Sequence, residues 1–147
     1  MKTAIIFGST TGNNEKIAEA ICLTLKDKGV EADLKNAAVF PFKETLIYDI
    51  LLLGSSTWGD GELQDDMIYF ISNLKGSNLN GKKYATFGVG EDFWPNFCTA
   101  PQILEKEAKA MGADCFHESL RVNGQADSNM DQITSWAESI ADAIKAL

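Results

Sequence analysis

The sequence has few of the residues on which disulfide-rich proteins and metal sites depend. Its three cysteines, Cys22, Cys98 and Cys115, cannot all pair within one chain, and their spacing matches no zinc-binding pattern. The single histidine, His117, offers too few ligands for a metal cluster. We therefore expect reduced thiols in a reducing compartment and no bound metal.

Long apolar runs are missing as well. No apolar run approaches the roughly 20 residues that cross a bilayer. The first residues lead directly into Thr3-Ala4-Ile5-Ile6-Phe7, without the pattern of a signal peptide. These absences predict a cytoplasmic protein that does not associate with membranes.

Basic residues are outnumbered by acidic ones. The chain has 13 lysines and arginines against 21 aspartates and glutamates, for a formal net charge of −8. Nucleic-acid binding depends on basic side chains that neutralise phosphates, so that class of partner is disfavoured. A basic protein partner fits this charge better, although acidity also serves solubility alone.

The rest of the composition is that of an ordinary globular protein. Hydrophobic residues make up 45% and charged residues 23% of 147 residues, which suits one domain over 1–147 with its own core. Apolar runs and alternating patterns predict strands at 4–7, 30–34, 50–53, 84–89 and 115–122. Amphipathic spacing predicts helices over 17–25, 67–74, 104–111 and 133–144, with a short helix near 42–46.

Capping residues mark the ends of several predicted helices. Lys28-Gly29 is predicted to end the first helix, Thr99-Ala100-Pro101-Gln102 to open the third as a capping box, and Ser128 to Asp131 to cap the last. Because strands and helices alternate, the chain is predicted to be an α/β protein whose parallel sheet carries helices on both faces. Ligands of such sheets bind beyond the carboxyl ends of the strands, in the loops after Phe7, Leu53 and Val89.

The first of these loops favours an anion. It is Gly8-Ser9-Thr10-Thr11-Gly12-Asn13-Asn14, where hydroxyls, amides and glycines precede a helix N-terminus. It lacks the glycine-lysine-serine ending of a nucleoside triphosphate loop and the glycine spacing of dinucleotide-binding proteins. A terminal monophosphate is the favoured ligand, and the alternative is an ordinary turn with a good helix cap.

The second and third loops each contain a large aromatic residue. Trp58 lies in Ser55-Ser56-Thr57-Trp58-Gly59-Asp60-Gly61-Glu62, and Trp94 lies in Gly90-Glu91-Asp92-Phe93-Trp94-Pro95-Asn96-Phe97-Cys98. One such tryptophan would more often fold back as a small satellite core. Two at the same edge, beside a phosphate site, favour a planar ligand between them.

These three loops, in this order, make the whole chain resemble the flavodoxin family, specifically its short-chain members. The resemblance implies a flavodoxin-like three-layer α/β/α sandwich with a five-stranded parallel sheet in the order 2-1-3-4-5. It also implies noncovalently bound FMN and a role in electron transport as a monomeric one-electron carrier, with no catalytic residues of its own.

The resemblance also assigns residues to the cofactor. Those expected around the phosphate are Ser9, Thr10, Thr11, Gly12, Asn13 and Asn14. Those expected along one face of the flavin are Ser56, Thr57, Trp58, Gly59 and Asp60, with Trp58 covering the ring. Those expected along the other face are Gly90, Glu91, Trp94, Phe97 and Cys98, with main-chain groups of Glu91 and Cys98 at the pyrimidine edge of the ring.

Acidic residues are concentrated in or beside the two flavin loops, at Asp60, Glu62, Asp65, Asp66, Glu91 and Asp92. A negative field opposes the addition of a second electron to the ring, so a low potential is expected. The same charges should steer redox proteins with basic docking surfaces. Gly59 is expected to leave the 59–60 peptide free to turn its carbonyl towards the ring.

Two other functions compete with that of an electron carrier. Cys115 and Arg121 have the spacing of a cysteine-dependent phosphatase, but the residues between them are predicted to form a strand rather than a glycine-containing loop before a helix. The stronger alternative is an FMN-dependent NAD(P)H or quinone reductase. It would need room for a second substrate at the place expected for Trp94.

Overall fold

The computed structural model describes residues 1–58, 61–92 and 97–147. Strands and helices alternate through these ranges, and 3-10 helices occupy Phe42–Ile47 and Ala126–Asn129. The strands are β1 (Thr3–Gly8), β2 (Ala32–Asn36), β3 (Ile50–Trp58), β4 (Glu62–Leu63), β5 (Lys83–Gly90), β6 (Asp114–Cys115) and β7 (Leu120–Asn123). The α-helices are α1 (Asn13–Asp27), α2 (Asp65–Leu74), α3 (Ala100–Ala110) and α4 (Met130–Lys145).

The sheet follows the order β2-β1-β3-β5, and both β6 and β7 pair in parallel with β5. The order confirms the flavodoxin-like α/β prediction, but the count of five strands is wrong. The short β4 adds an antiparallel strand beside β3, and the predicted fifth strand is divided into β6 and β7. Between them the chain turns towards α4, because the Glu118 carbonyl accepts a hydrogen bond from Trp136 Nε1 at 2.9 Å.

Side chains of the central strands alternate between two hydrophobic cores, one on each face of the sheet. Ile5 and Phe7 of β1 pack with α1 and α4 on one face, whereas Ala4 and Ile6 pack with α2 and α3 on the other. The buried strands have apolar residues on both faces, as expected for a parallel sheet that is covered by helices on each side. This arrangement is the predicted three-layer sandwich.

Two of the predicted helix ends differ from the structure. α1 ends as expected, with Gly29 at φ 81° and the Val30 N–H donating to the Leu25 carbonyl at 2.8 Å. The capping box at Thr99 is wrong, because the Thr99 hydroxyl donates to the Gly61 carbonyl at 2.8 Å instead of capping α3. The cap predicted over 128–131 has the right position, since Asn129 directly precedes α4, but Ala126–Asn129 forms a 3-10 helix and no side chain in the described part of the chain caps α4.

No helix within the described ranges is long and apolar enough to cross a membrane.

Candidate functional site

A cavity of about 330 Å³ lies where the carboxyl ends of β1, β3, β5 and β7 meet. This is the edge at which sheets of this kind bind ligands, and the volume falls in the usual range for small-molecule sites of roughly 300–1,000 Å³. The residues that line it are Thr11, Asn13, Ser56, Thr57, Trp58, Val89, Gly90, Glu91, Cys98, Gly124 and Gln125. Glu91 is the one charged side chain among these lining residues.

The first loop presents main-chain donors at the start of α1. Gly12 has φ 88°, and its N–H donates to Ser9 Oγ at 3.1 Å, which closes the turn before the helix. Among the described residues, no side chain caps α1. The N–H groups of its first turn therefore remain available, and the helix dipole adds positive potential there. This end of the cavity can hold an anion without a cationic side chain.

The two asparagines of this loop hold it in shape. Asn13 Nδ2 donates to the Gly124 carbonyl at 2.9 Å, and Asn13 Oδ1 accepts from the Ala126 N–H at 2.8 Å. Asn14 is fully buried, and its Nδ2 donates to the Gly8 carbonyl at 3.1 Å. Each of these amide nitrogens thus uses one of its two N–H donors to hold the loop. Their main-chain N–H groups, at the start of α1, are placed for contact with an anion.

The second loop is joined to the first by a residue that the sequence analysis did not identify. Gln64 Nε2 donates to Thr10 Oγ1 at 3.0 Å and to Asp66 Oδ2 at 2.8 Å, while its Oε1 accepts from the Met67 N–H. Gln64 therefore caps α2 and positions Thr10 at the same time. Trp58, at the end of β3, is 43% exposed and contributes its indole to the cavity wall.

The third loop is held by Arg121 of β7. The guanidinium donates to the Phe97 carbonyl at 2.7 Å and to the Cys98 carbonyl at 3.1 Å, and it stacks on the Phe97 ring at 5.4 Å. Cys98 is fully buried beneath this contact. Burial raises the pKa of the Cys98 thiol, and the nearby Arg121 charge opposes the rise. Burial thus favours the neutral thiol, so Cys98 would make its polar contacts through main-chain groups.

A fourth segment, after β7, completes the cavity and was also missed. Gly124 has φ 86°, its N–H donates to the Gly90 carbonyl at 2.8 Å, and Gln125 follows it in the wall. The Asn123-Gly124 dipeptide is a turn signal directly after a predicted strand. Because this dipeptide follows the carboxyl end of a predicted parallel strand, a fourth loop at the binding edge could have been predicted from the sequence.

The predicted site residues fall into three groups. Those that line the cavity are Thr11, Asn13, Ser56, Thr57, Trp58, Gly90, Glu91 and Cys98. Those described beside the cavity but outside its lining are Ser9, Thr10, Gly12, Asn14 and Phe97. Those that lie outside the described residues are Gly59, Asp60 and Trp94. The structure thus brings parts of all three predicted loops to one cavity, and their contacts with a cofactor stay predictions.

The phosphatase arrangement is not formed. Cys115 Sγ contacts the His117 carbonyl at 3.1 Å, whereas the Arg121 guanidinium is bound to the third loop. His117 lies with its Nε2 at 2.7 Å from Ser139 Oγ and its ring edge-to-face with Trp136. His117 therefore packs the segment between β6 and β7 against α4, whereas Cys115 is exposed at the end of β6.

Comparison with known proteins agrees with this geometry. A family model described as Flavodoxin matches residues 5–136. The chain belongs to the flavodoxin family. It is 39% identical over 146 residues to a flavodoxin from Maridesulfovibrio salexigens, covering 97% of this chain and 99% of that protein. It is 32% identical over 144 residues to a flavodoxin from Nitratidesulfovibrio vulgaris, covering 95% and 97% of the two proteins.

Solved structures give the same relationship. Oxidised flavodoxin 2 from Bacillus cereus matches with a TM-score of 0.90 at 34% identity, over 99% of both chains. A flavodoxin from Streptococcus pneumoniae TIGR4 matches with a TM-score of 0.88 at 32% identity, over 97% of this chain and 99% of that one. Membership of the flavodoxin family makes the chain a flavin-binding protein of electron transport.

Proposed function

We propose that the chain binds FMN noncovalently in the 330 Å³ cavity and carries single electrons at low potential between redox proteins with basic docking surfaces. The observation that supports this most directly is the convergence of three separate loops on one cavity beside an uncapped helix N-terminus. We further propose that it works as a monomer in the cytoplasm, since its net charge of −8 opposes self-association.

The donor set at one end of the cavity suits a phosphate. The first turn of α1 supplies free N–H groups, and the loop before it supplies the hydroxyls of Ser9, Thr10 and Thr11. Asn14 Oδ1 is buried without a partner among the described residues, and as an acceptor it would repel an anion rather than bind it. We therefore assign the phosphate to main-chain N–H and hydroxyl groups, including the main chain but not the side chain of Asn14.

The other end of the cavity suits a flat heterocycle. Trp58 provides an aromatic surface on the second loop, and we assign the opposite wall to Gly90, Glu91 and Cys98 of the third loop. Stacking of Trp94 on that face of the ring stays a prediction from the sequence. The main-chain groups of Glu91 and Cys98 would contact the polar edge of the ring. When bound, FMN supplies reversible one-electron chemistry, while the protein adjusts it through stacking, hydrogen bonds and charge.

The direct test is titration of flavin-free protein with FMN and with riboflavin, followed by fluorescence. FMN fluorescence should be quenched at one equivalent with micromolar or tighter affinity, and riboflavin, which lacks the phosphate, should bind more weakly. A matched variant, Gly12→Ala, places a side chain at φ 88° in the phosphate loop and should weaken FMN more than riboflavin. A chain that quenches neither flavin would overturn the proposal.

Adding NAD(P)H to the FMN-loaded protein separates the carrier from the reductase alternative. A carrier should stay yellow until a separate reductase is supplied. Rapid bleaching followed by turnover with a quinone would instead identify an FMN-dependent reductase.

A further inference from the structure

Arg121 is the only arginine in the chain; the other twelve residues of the basic set are lysines. It lies on β7, and its own carbonyl is held by Gln132 Nε2 of α4 at 3.1 Å. Its guanidinium binds two successive carbonyls, Phe97 at 2.7 Å and Cys98 at 3.1 Å. A planar fork with several donors can make this double contact, and a lysine ammonium on its flexible chain cannot reproduce it.

The segment that Arg121 holds has a costly backbone conformation. Cys98 has φ 45°, in the left-handed region that residues other than glycine seldom adopt. Such conformations persist only where the surroundings enforce them. Here Gly90 leaves the necessary space, because a Cβ on it would stand 2.8 Å from Cys98 N. On the far side, the Ala100 N–H donates to Thr57 Oγ1 at 3.1 Å.

The direction of the two carbonyls fixes the direction of the neighbouring N–H groups. In a trans peptide the C=O and the following N–H point in opposite directions. With the Phe97 and Cys98 carbonyls turned to Arg121, the N–H groups of Cys98 and Thr99 are turned away from the guanidinium. A cation bound to the carbonyls also polarises these peptides, which makes their N–H groups stronger donors.

We propose that Arg121 is a positioning residue for the flavin ring, holding the 97–99 peptides in the conformation that presents main-chain donors to the ring's polar edge. The proposal rests on the proposed function, since it requires that the cavity bind a flavin. It adds a residue of β7, outside the three flavin loops, that fixes the geometry of the third loop.

The first test needs no flavin. In a Cys115→Ser background the remaining thiols, Cys22 and Cys98, are both buried, so alkylation followed by peptide mapping reports the opening of each segment. Arg121→Met should raise the alkylation rate of Cys98 at least tenfold and leave that of Cys22 unchanged. Lys83→Met removes one positive charge at the opposite end of the sheet, where Lys83 pairs with Asp114, and should change neither rate. Equal protection of Cys98 in the Arg121→Met variant would overturn the proposal.

The second test measures the affinities of FMN and riboflavin for the same variants. Arg121→Met should weaken both flavins by a similar factor of about ten or more, equivalent to about 1.4 kcal/mol, because the phosphate site is unchanged. The visible absorption band of bound flavin should also shift, and Lys83→Met should alter neither quantity. Unchanged ring affinity in a folded Arg121→Met protein would refute the positioning role.

Arg121→Lys keeps the positive charge and serves if the methionine variant does not fold. The Arg121→Lys variant should lose part of its affinity for both flavins and keep the ratio of the two affinities. Affinities equal to those of the parent would contradict the role given to the double contact of the guanidinium. If the parent protein binds neither flavin, the proposed function is wrong. The alkylation rates, which are measured without flavin, then test separately whether Arg121 holds the third loop.

Discussion

Gln64 shows how a single side chain can join two loops of a binding site. Its Oε1 caps α2, and its Nε2 holds Thr10 of the first loop and Asp66 of α2. Gly8 leaves room for this arrangement, because a Cβ there would overlap Gln64 Oε1 and lie 2.9 Å from Met67 Cβ. The amide is required as both acceptor and donor, so a close analogue with two acceptors should fail.

Gln64→Glu should lower the free energy of unfolding at neutral pH by about 1–3 kcal/mol, because a second carboxylate would face Asp66 where an N–H donor now stands. Adding Asp66→Asn restores a donor and should recover most of the loss. Urea unfolding of the two variants and the parent measures both effects. Equal stability of Gln64→Glu and the parent would contradict the role assigned to this amide.

Residue patterns anticipated the parts of the site that lie next to each other in sequence. The loop from Gly8 to Asn14 could be identified because hydroxyls and glycines between a strand and a helix favour an anion. Gln64 and Arg121 could not, since each acts on a loop far away along the chain, and nothing in its neighbours indicates that distance in space. Thr99 was misassigned for the same reason, as its hydroxyl partner, Gly61, is 38 residues away.

At the scale of elements, the periodic segments were the most predictable. Residues 4–7 of β1 and 50–53 of β3 are continuous apolar runs and β5 is almost wholly buried, so these strands could be predicted from the sequence, whereas the order of the sheet was implied by the resemblance. The edge was less predictable. The predicted strand over 115–122 breaks because Trp136 of α4 takes the Glu118 carbonyl out of the pairing with β5, and such a tertiary contact leaves no periodic signal in the sequence.

Two tyrosines tie elements together and should make the fold sensitive to alkali. Burial, followed by a hydrogen bond to Asp33 of β2, raises the pKa of Tyr48 from 10.0 to about 12. Burial, followed by the nearby Cys115, raises the pKa of Tyr84 of β5 to about 12. The stability from each neutral phenol is complete below pH 10, where the unfolded state also keeps its proton, and is lost as pH rises towards 12.

Urea midpoints measured between pH 9 and pH 12 test this expectation. Stability should fall mainly between the ordinary tyrosine pKa of 10.0 and the folded-state pKa of about 12. Tyr48→Phe and Tyr84→Phe should each make the decline of stability with pH shallower, and the double variant more so. Tyr69→Phe, at a side chain that is 71% exposed, is the matched control and should keep the parent slope. A slope that none of the variants alters would show that other groups govern alkaline unfolding.

At the scale of the whole molecule, charge is distributed unevenly over the two ends of the sheet. Glu62, Glu91 and Asp92 lie near the cavity, while the guanidinium of Arg121 is turned towards main-chain carbonyls of the third loop. The four ion pairs among the described residues involve other acids. The acids beside the cavity are therefore free to act on the potential and on partners.

Replacing three acids beside the cavity with amides should raise the potential of the second one-electron step of bound FMN by on the order of 50 mV, since each exposed charge contributes a few tenths of a kcal/mol. This variant carries Glu62→Gln, Glu91→Gln and Asp92→Asn. The matched control changes three exposed acids at the other end of the molecule, with Asp27→Asn, Glu31→Gln and Asp142→Asn. Equal potentials for the two triple variants would rule out local control by these charges.

The same two variants should differ in reaction with a basic redox partner. Electron-transfer rates of the parent should fall as ionic strength rises, because salt screens attraction between exposed charges. The variant altered beside the cavity should be slower at low salt and less sensitive to salt than the control. Stopped-flow rates over a range of NaCl concentrations measure both effects.

The uncharged anion site at the start of α1 has one more consequence. In our proposal, N–H and hydroxyl groups retain the prosthetic group, whereas carboxylates at the surface attract the visiting protein. A change of ionic strength inside the cell would therefore alter how often the carrier encounters its partner proteins, while the flavin stays bound.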